Sequence, residues 1–189
     1  METKNKEGLY QEMKIPEDIK AEISENFIIL NKDNKKILRK FVPLINIKIE
    51  GNKVILSSTT KRKIERKLFF TYIAHIKNMI KGLKEGFEYK LKISNVHFPI
   101  KASFNKDKNE FVIKNFLGER KDRIINIIED VDIKIYGEDV IVSSYDIEKA
   151  GIVAASIEKG SKVKNFDRRV YQDGIFIVEK PGRNYLWQN

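Results

Sequence analysis

The sequence predicts an α+β fold: a tandem duplication of a small antiparallel sheet covered by one helix, a two-layer sandwich, ending in a basic C-terminal tail. Three observations carry this. The stretch Ile47–Ser58, IKIEGNKVILSS, returns as Ile133–Ser144, IKIYGEDVIVSS, 86 positions later with 8 of 12 residues identical. A helical pattern follows each copy. Short apolar runs broken by polar turns precede each copy. The expected organisation is an N-terminal extension over 1–11, one repeat over 12–85, a second over 86–160, and a basic extension over 161–189 that packs on or extends from the second repeat.

In chain order, each repeat opens with a proline-containing strand, around Pro16 and around Pro99. Asn26-Phe27-Ile28-Ile29 then answers Glu110-Phe111-Val112-Ile113, and Lys36–Phe41 answers Asp122–Ile127 as the following strand. Polar turns at 31–35, 106–109 and 117–121 bound these runs. The shared hairpin turns at Gly51-Asn52 and Gly137-Glu138, where glycine permits positive φ. The first helix is expected along 61–84, with Ile64, Leu68, Tyr72, Ile76, Ile80 and Leu83 as its apolar stripe. Thr59 or Thr60 can cap its start and Gly86 can follow its end. The second helix runs from an Asp146 cap to about Lys159. Its inner face is small: Ile147, Ala150, Gly151, Ala154, Ala155 and Ile157.

A hydrophobic fraction of 41% supports a real core, while 34% charged residues give a heavily solvated surface. A net charge of +10 and a pI near 9.5 favour a polyanionic partner, nucleic acid ahead of an anionic membrane. The chain has no cysteine, which excludes disulfides and thiolate chemistry, and two histidines are too few for most His-based metal sites. Met1–Lys14 lacks the apolar core of a secretory signal, and no run approaches the roughly 20 apolar residues of a membrane span. A soluble intracellular protein is the expectation.

No phosphate-binding loop, dinucleotide fingerprint, nucleophile elbow or H-E-x-x-H motif occurs. Glu129-Asp130-Val131-Asp132 reads as a solvated turn, and His75 and His97 as packing or hydrogen-bonding residues. Asp167 and Asp173 flank the arginines of the tail and are expected to orient them. The chain is therefore expected to be non-enzymatic, with no cofactor, metal or small-molecule substrate.

The positive charge is uneven. It is +8 over 1–86, −2 over 87–158 and +4 over 159–189. The tail mixes cations with rings: Lys162, Lys164, Phe166, Arg168, Arg169, Tyr171, Lys180, Arg183, Tyr185 and Trp187. Cations of this kind contact phosphates, and exposed rings stack on bases. Phe176, inside the strand-like Ile175–Val178, is expected to pack instead. A second basic site is TTKRKIERK, where Lys61, Arg62, Lys63, Arg66 and Lys67 outnumber the single Glu65 at a helix N-terminus. Gly118–Arg123 carries mixed charges suited to internal pairing.

Ala74–Leu91 (AHIKNMIKGLKEGFEYKL), Val96–Ile100 (VHFPI), Lys114–Arg123 (KNFLGERKDR) and Val163–Lys180 (VKNFDRRVYQDGIFIVEK) together resemble the large-subunit ribosomal protein L-six family, in particular its eukaryotic branch. The resemblance covers nearly the whole chain. It implies two duplicated α+β domains and binding to large-subunit rRNA near the stalk base and sarcin–ricin loop. It also implies neighbouring ribosomal proteins as partners, translational GTPases nearby, no membrane, and a place in the cytoplasmic ribosome with nucleolar assembly in a eukaryotic cell. By position it makes Lys162, Lys164, Asn165, Arg168, Arg169 and Lys180 the leading RNA contacts; Arg183 of the tail and Lys61, Arg62 and Lys63 of the basic helix start are further candidates from charge alone. Asn31–Lys35 stands where the family often has a Gly-Pro-basic-Gly turn. The competing expectation is a free-standing regulatory RNA- or protein-binding module.

Overall fold

The computed structural model describes residues 8–60 and 62–185, and the chain divides into two compact units between Glu85 and Gly86. The first unit contains β1 (Leu9–Lys14), β2 (Lys20–Ser24), β3 (Phe27–Lys32), β4 (Lys35–Lys40), β5 (Asn46–Glu50), β6 (Lys53–Ser58) and α1 (Lys63–Glu85). The second repeats the order as β7 (Phe87–Ser94), β8 (Lys101–Asn105), β9 (Glu110–Lys114), β10 (Arg123–Asn126), β11 (Asp132–Tyr136), β12 (Asp139–Ser144) and α2 (Ile147–Gly160). It then adds β13 (Gly174–Lys180) and β14 (Arg183–Asn184). Lys61 and Trp187, both singled out above, lie outside the described residues, and β1 begins within the segment read as an N-terminal extension.

The class is α+β and antiparallel, and the duplication reaches the strand pairing. Each unit divides its strands between two sheets rather than one. The order β1-β6-β5 is matched by β7-β12-β11, and β2-β3-β4 by β8-β9-β10. The units differ at one edge. β13 pairs antiparallel with β7 from Gly174 opposite Ser94 onward, and β14 folds back on β13, making a five-stranded sheet. Pro16 and Pro99 fall in the connections after β1 and β7, not in strands, because proline has no N–H to give a ladder.

The repeated hairpins are scaffold. Ile47, Val54, Leu56 and Ser58 in one, and Ile133, Val140, Val142 and Ser144 in the other, alternate onto the buried face. Gly51 and Gly137 turn them at φ 56° and 60°. The final serine of each hairpin then organises the helix that follows. Ser58 Oγ donates to Glu65 Oε2 at 2.6 Å, and Ser144 Oγ accepts from the Asp146 amide at 3.2 Å. Asp146 caps α2 as expected, accepting from the Glu148 amide at 2.9 Å.

Both helix faces differ in detail from the sequence reading. On α1 the buried residues are Glu65, Phe69, Tyr72, Ile73, Ile76, Met79, Gly82 and Leu83, whereas Ile64 is 67% exposed. The expected stripe stepped by four through most of its length, and each such step overshoots a 100° helix by about 40°, so its first member leaves the face. On α2, Val153 is buried where Ala155 was expected, beside Ala150, Ala154 and Ile157. At Gly151 a Cβ would sit 3.0 Å from the Tyr89 hydroxyl, so a larger residue there requires the tyrosine to shift by a few tenths of an ångström.

Candidate nucleic-acid interface

At the start of α1, Glu65 makes its hydrogen bonds with Ser58 and Thr60 rather than with the neighbouring cations. Its buried carboxylate collects the Ser58 hydroxyl, the Thr60 hydroxyl at 2.5 Å and the Thr60 amide at 3.2 Å. These donors, Ser58 first, hold it below the usual carboxylate range. Thr60 thus braces Glu65 rather than capping the helix. The first intrahelical bond, from the Arg66 amide, goes to the Arg62 carbonyl. Arg62, Lys63 and Lys67 are exposed, with no carboxylate in ion-pair distance among the described residues. Lys63, Arg66, Lys67 and Phe70 share one face by their spacing of three and four, and the Arg66 guanidinium lies 6.0 Å from the centre of the half-exposed Phe70 ring.

The segment 161–173 between α2 and β13 carries the cations of the tail, and it is held at several points. Ser161, 2% exposed, accepts from the Ile175 amide at 2.9 Å. Arg123 donates from one terminal nitrogen to the Gly160 and Lys162 carbonyls at 2.9 and 3.0 Å. Its other nitrogens grip Glu119 at 2.8 and 2.5 Å, and its guanidinium lies 3.9 Å from the centre of the Phe116 ring. Of the mixed charges of 118–123, Glu119 and Arg123 pair with each other, Asp122 pairs with Lys114 at 3.6 Å, and Arg123 clamps the loop. Within it, Asn165 takes φ 63°, a left-handed position asparagine tolerates. Asp167 accepts the Arg169 amide at 2.9 Å through its side chain and the Tyr171 amide at 2.9 Å through its carbonyl.

Asp173 plays a different part from the one expected. Its side chain faces no arginine; it is fully buried and accepts from the Val96 amide, the His97 amide and His97 Nδ1 at 2.9, 2.9 and 2.6 Å. Burial pushes its carboxyl up, and the His97 and Val96 donors more than offset this, leaving it below its ordinary value. The His97 ring lies 4.8 Å from that of Tyr171, which lies 4.7 Å from that of Phe166. Held this way, the loop presents Lys162, Lys164, Asn165, Arg168 and Arg169 to solvent, and no described carboxylate pairs with these cations. Phe176 does not pack inward; Ile175 does, and Phe176 on the opposite face of β13 remains 37% exposed.

Lys180 and Arg183 stand apart from this group. They lie at the β13–β14 turn, 5.3 and 4.8 Å from the centre of the Tyr185 ring. Seven residues of β13 at roughly 3.3 Å each separate them from the loop by about 20 Å. The sequence therefore joined two cation groups that the fold divides. It missed the Arg123 clamp and the Asp173–His97 pair, because their partners lie 37 to 77 residues away and no local spacing announces them.

These features define a duplicated, strongly basic α+β protein whose exposed cations and ring faces sit on a helix start and a clamped loop. Among the described residues no group of acidic or histidine side chains could hold a metal ion, and no helix is long and apolar enough to cross a membrane. No family model matches the chain. It is 43% identical to the large ribosomal subunit protein uL6 of Methanococcus vannielii, over 92% of this chain and 94% of that one. The corresponding protein of Staphylothermus marinus is 44% identical over 90% and 94%, and that of Haloarcula marismortui 38% over 91% and 96%. The chain belongs to the uL6 family of large-ribosomal-subunit proteins. These relatives are archaeal, so identity shows the family and not the eukaryotic branch that the motifs suggested.

Proposed function

We propose that this protein is a structural, non-catalytic constituent of the large ribosomal subunit that holds rRNA through its 161–173 loop, with the start of α1 as a second contact. The observation that carries this is the loop itself: a family member presents four cations, none in ion-pair distance of a described carboxylate, on a backbone fixed by Arg123, Ser161 and Asp173. A fixed backbone presents these cations to phosphate without first losing backbone conformational entropy, and the protein reads the shape of the RNA through them. In this reading the site lies near the stalk base and sarcin–ricin loop of a cytoplasmic ribosome, assembled in the nucleolus where a cell has one. Neighbouring ribosomal proteins are further partners, and the protein supports the region where translational GTPases dock.

Reversing charge at Lys164, Arg168 and Arg169 together is expected to weaken binding to an isolated rRNA fragment and flatten its salt dependence. Unchanged affinity and slope would remove the loop from the interface. Sedimentation tests the placement. The wild-type chain is expected to travel with large subunits at moderate salt, and recovery in the free pool alone would favour a free-standing module.

A further inference from the structure

Beside the clamped loop lies a cleft of about 670 Å³. It opens between the end of β7 at Ser94, the last turns of α2 at Ala155 and Lys159, the loop, and Phe176. Its size falls within the range of sites that enclose a small organic group. Two rings border it. Phe176 lies over Gly174, where a Cβ would come within 2.9 Å of its ring, and Tyr171 is braced by the His97 and Phe166 rings. Lys159, Lys162 and Arg168 also border it, and its two carboxylates are engaged elsewhere, Glu158 by the Ile177 amide and Asp173 by Val96 and His97. Loop cations alone suffice for a duplex, which offers phosphates but no free base face. A cavity with ring walls and bordering cations suits a different ligand.

We infer that the cleft receives one unstacked nucleotide of single-stranded or bulged RNA, its base against Phe176 and Tyr171 and its phosphate on Lys162 and Arg168. This rests on the RNA-binding reading and deepens it by naming the conformation of RNA that is taken. Base–aromatic stacking is insensitive to base identity, so any of the four bases is accommodated, and selectivity is for an unpaired nucleotide over a paired one.

The test uses the full chain and two RNAs of equal phosphate count, a single strand carrying 2-aminopurine at its centre and a duplex of half that length. Binding of the single strand is expected to change the aminopurine emission as the base leaves its neighbours for the rings. Ala155→Trp fills the cleft from an exposed helix position, and Phe176→Leu removes a stacking face while keeping an apolar side chain. Each is expected to cut single-strand affinity about tenfold and leave duplex affinity unchanged. Thermal melts of both variants establish that they fold. Should one fail to fold, the other and the wild-type emission decide. Equal losses for both RNAs, or no loss for either, overturn the base-insertion inference while leaving phosphate binding standing. Failure of the wild-type chain to bind either RNA overturns the RNA-binding reading itself.

Discussion

At Asp173, one carboxylate gathers two backbone amides and a histidine ring, and so ties the loop after β7 to the start of β13. Removing it leaves three part-buried donors without their acceptor, so Asp173→Ala is expected to cost about 1–3 kcal/mol in urea unfolding. The pH dependence has a definite sign. A carboxyl held below its unfolded value stabilises the fold above roughly pH 4, and this contribution is lost as pH falls through the lower folded value. Stability of the wild-type chain should therefore decline on acidification below about pH 4, and Asp173→Asn should show a shallower decline over that window. An identical acid limb in the variant would mean that other carboxylates carry it, Asp130 with its Lys149 partner at 2.6 Å being the next candidate.

Among the elements, the serines that close the repeated hairpins show how one sequence position serves two helices differently. Ser58 works through a buried glutamate three residues into α1, and Ser144 receives the amide of the α2 cap directly while donating to the Asp130 carbonyl at 2.7 Å. Ser144→Ala strands both backbone groups, and a loss of about 1–2 kcal/mol is expected by thermal or urea unfolding. The start of β1 is equally particular. A Cβ on Gly8 would run into the backbone oxygen of Ser58, so Gly8→Ala should pry the beginning of β1 from β6. Faster amide exchange at Leu9 and Tyr10, with α2 amides unchanged, would show it.

For the whole molecule, charge is distributed by unit, with the excess on the first repeat and on the last 31 residues and a slight deficit between. The cations of the 161–173 loop and those at the start of α1 belong to different units and predict two separable contributions to RNA affinity. Reversing Lys164, Arg168 and Arg169 should lower the log–log salt slope for an rRNA fragment by roughly two units, at about 0.7–0.9 for each phosphate no longer neutralised. Reversing Arg62 and Lys63 should lower it by roughly one and a half. Filter binding at salt concentrations between about 50 and 200 mM measures both. A full effect from one set and none from the other would reduce the interface to a single element.

The duplication, its hairpins, the Asp146 cap and the uneven charge were legible along the chain because each rests on neighbours in sequence: a repeated string, a glycine at a turn, a cap one residue before a helix, a run of lysines. The family was legible too, from motifs spread over nearly its whole length. Tertiary structure decided what depends on distant partners. It gave β13 to the open edge of β7, turned Phe176 outward and Ile175 inward, buried Asp173 against His97, and set Arg123 as a clamp on the 161–173 loop. It also separated Lys180 and Arg183 from the loop by the length of a strand. The order of residues determines which groups can bind phosphate. Only the pairing of strands far apart in the chain decides which of them stand together, because a side chain's neighbours in space are set by sheet register and not by its position in the chain.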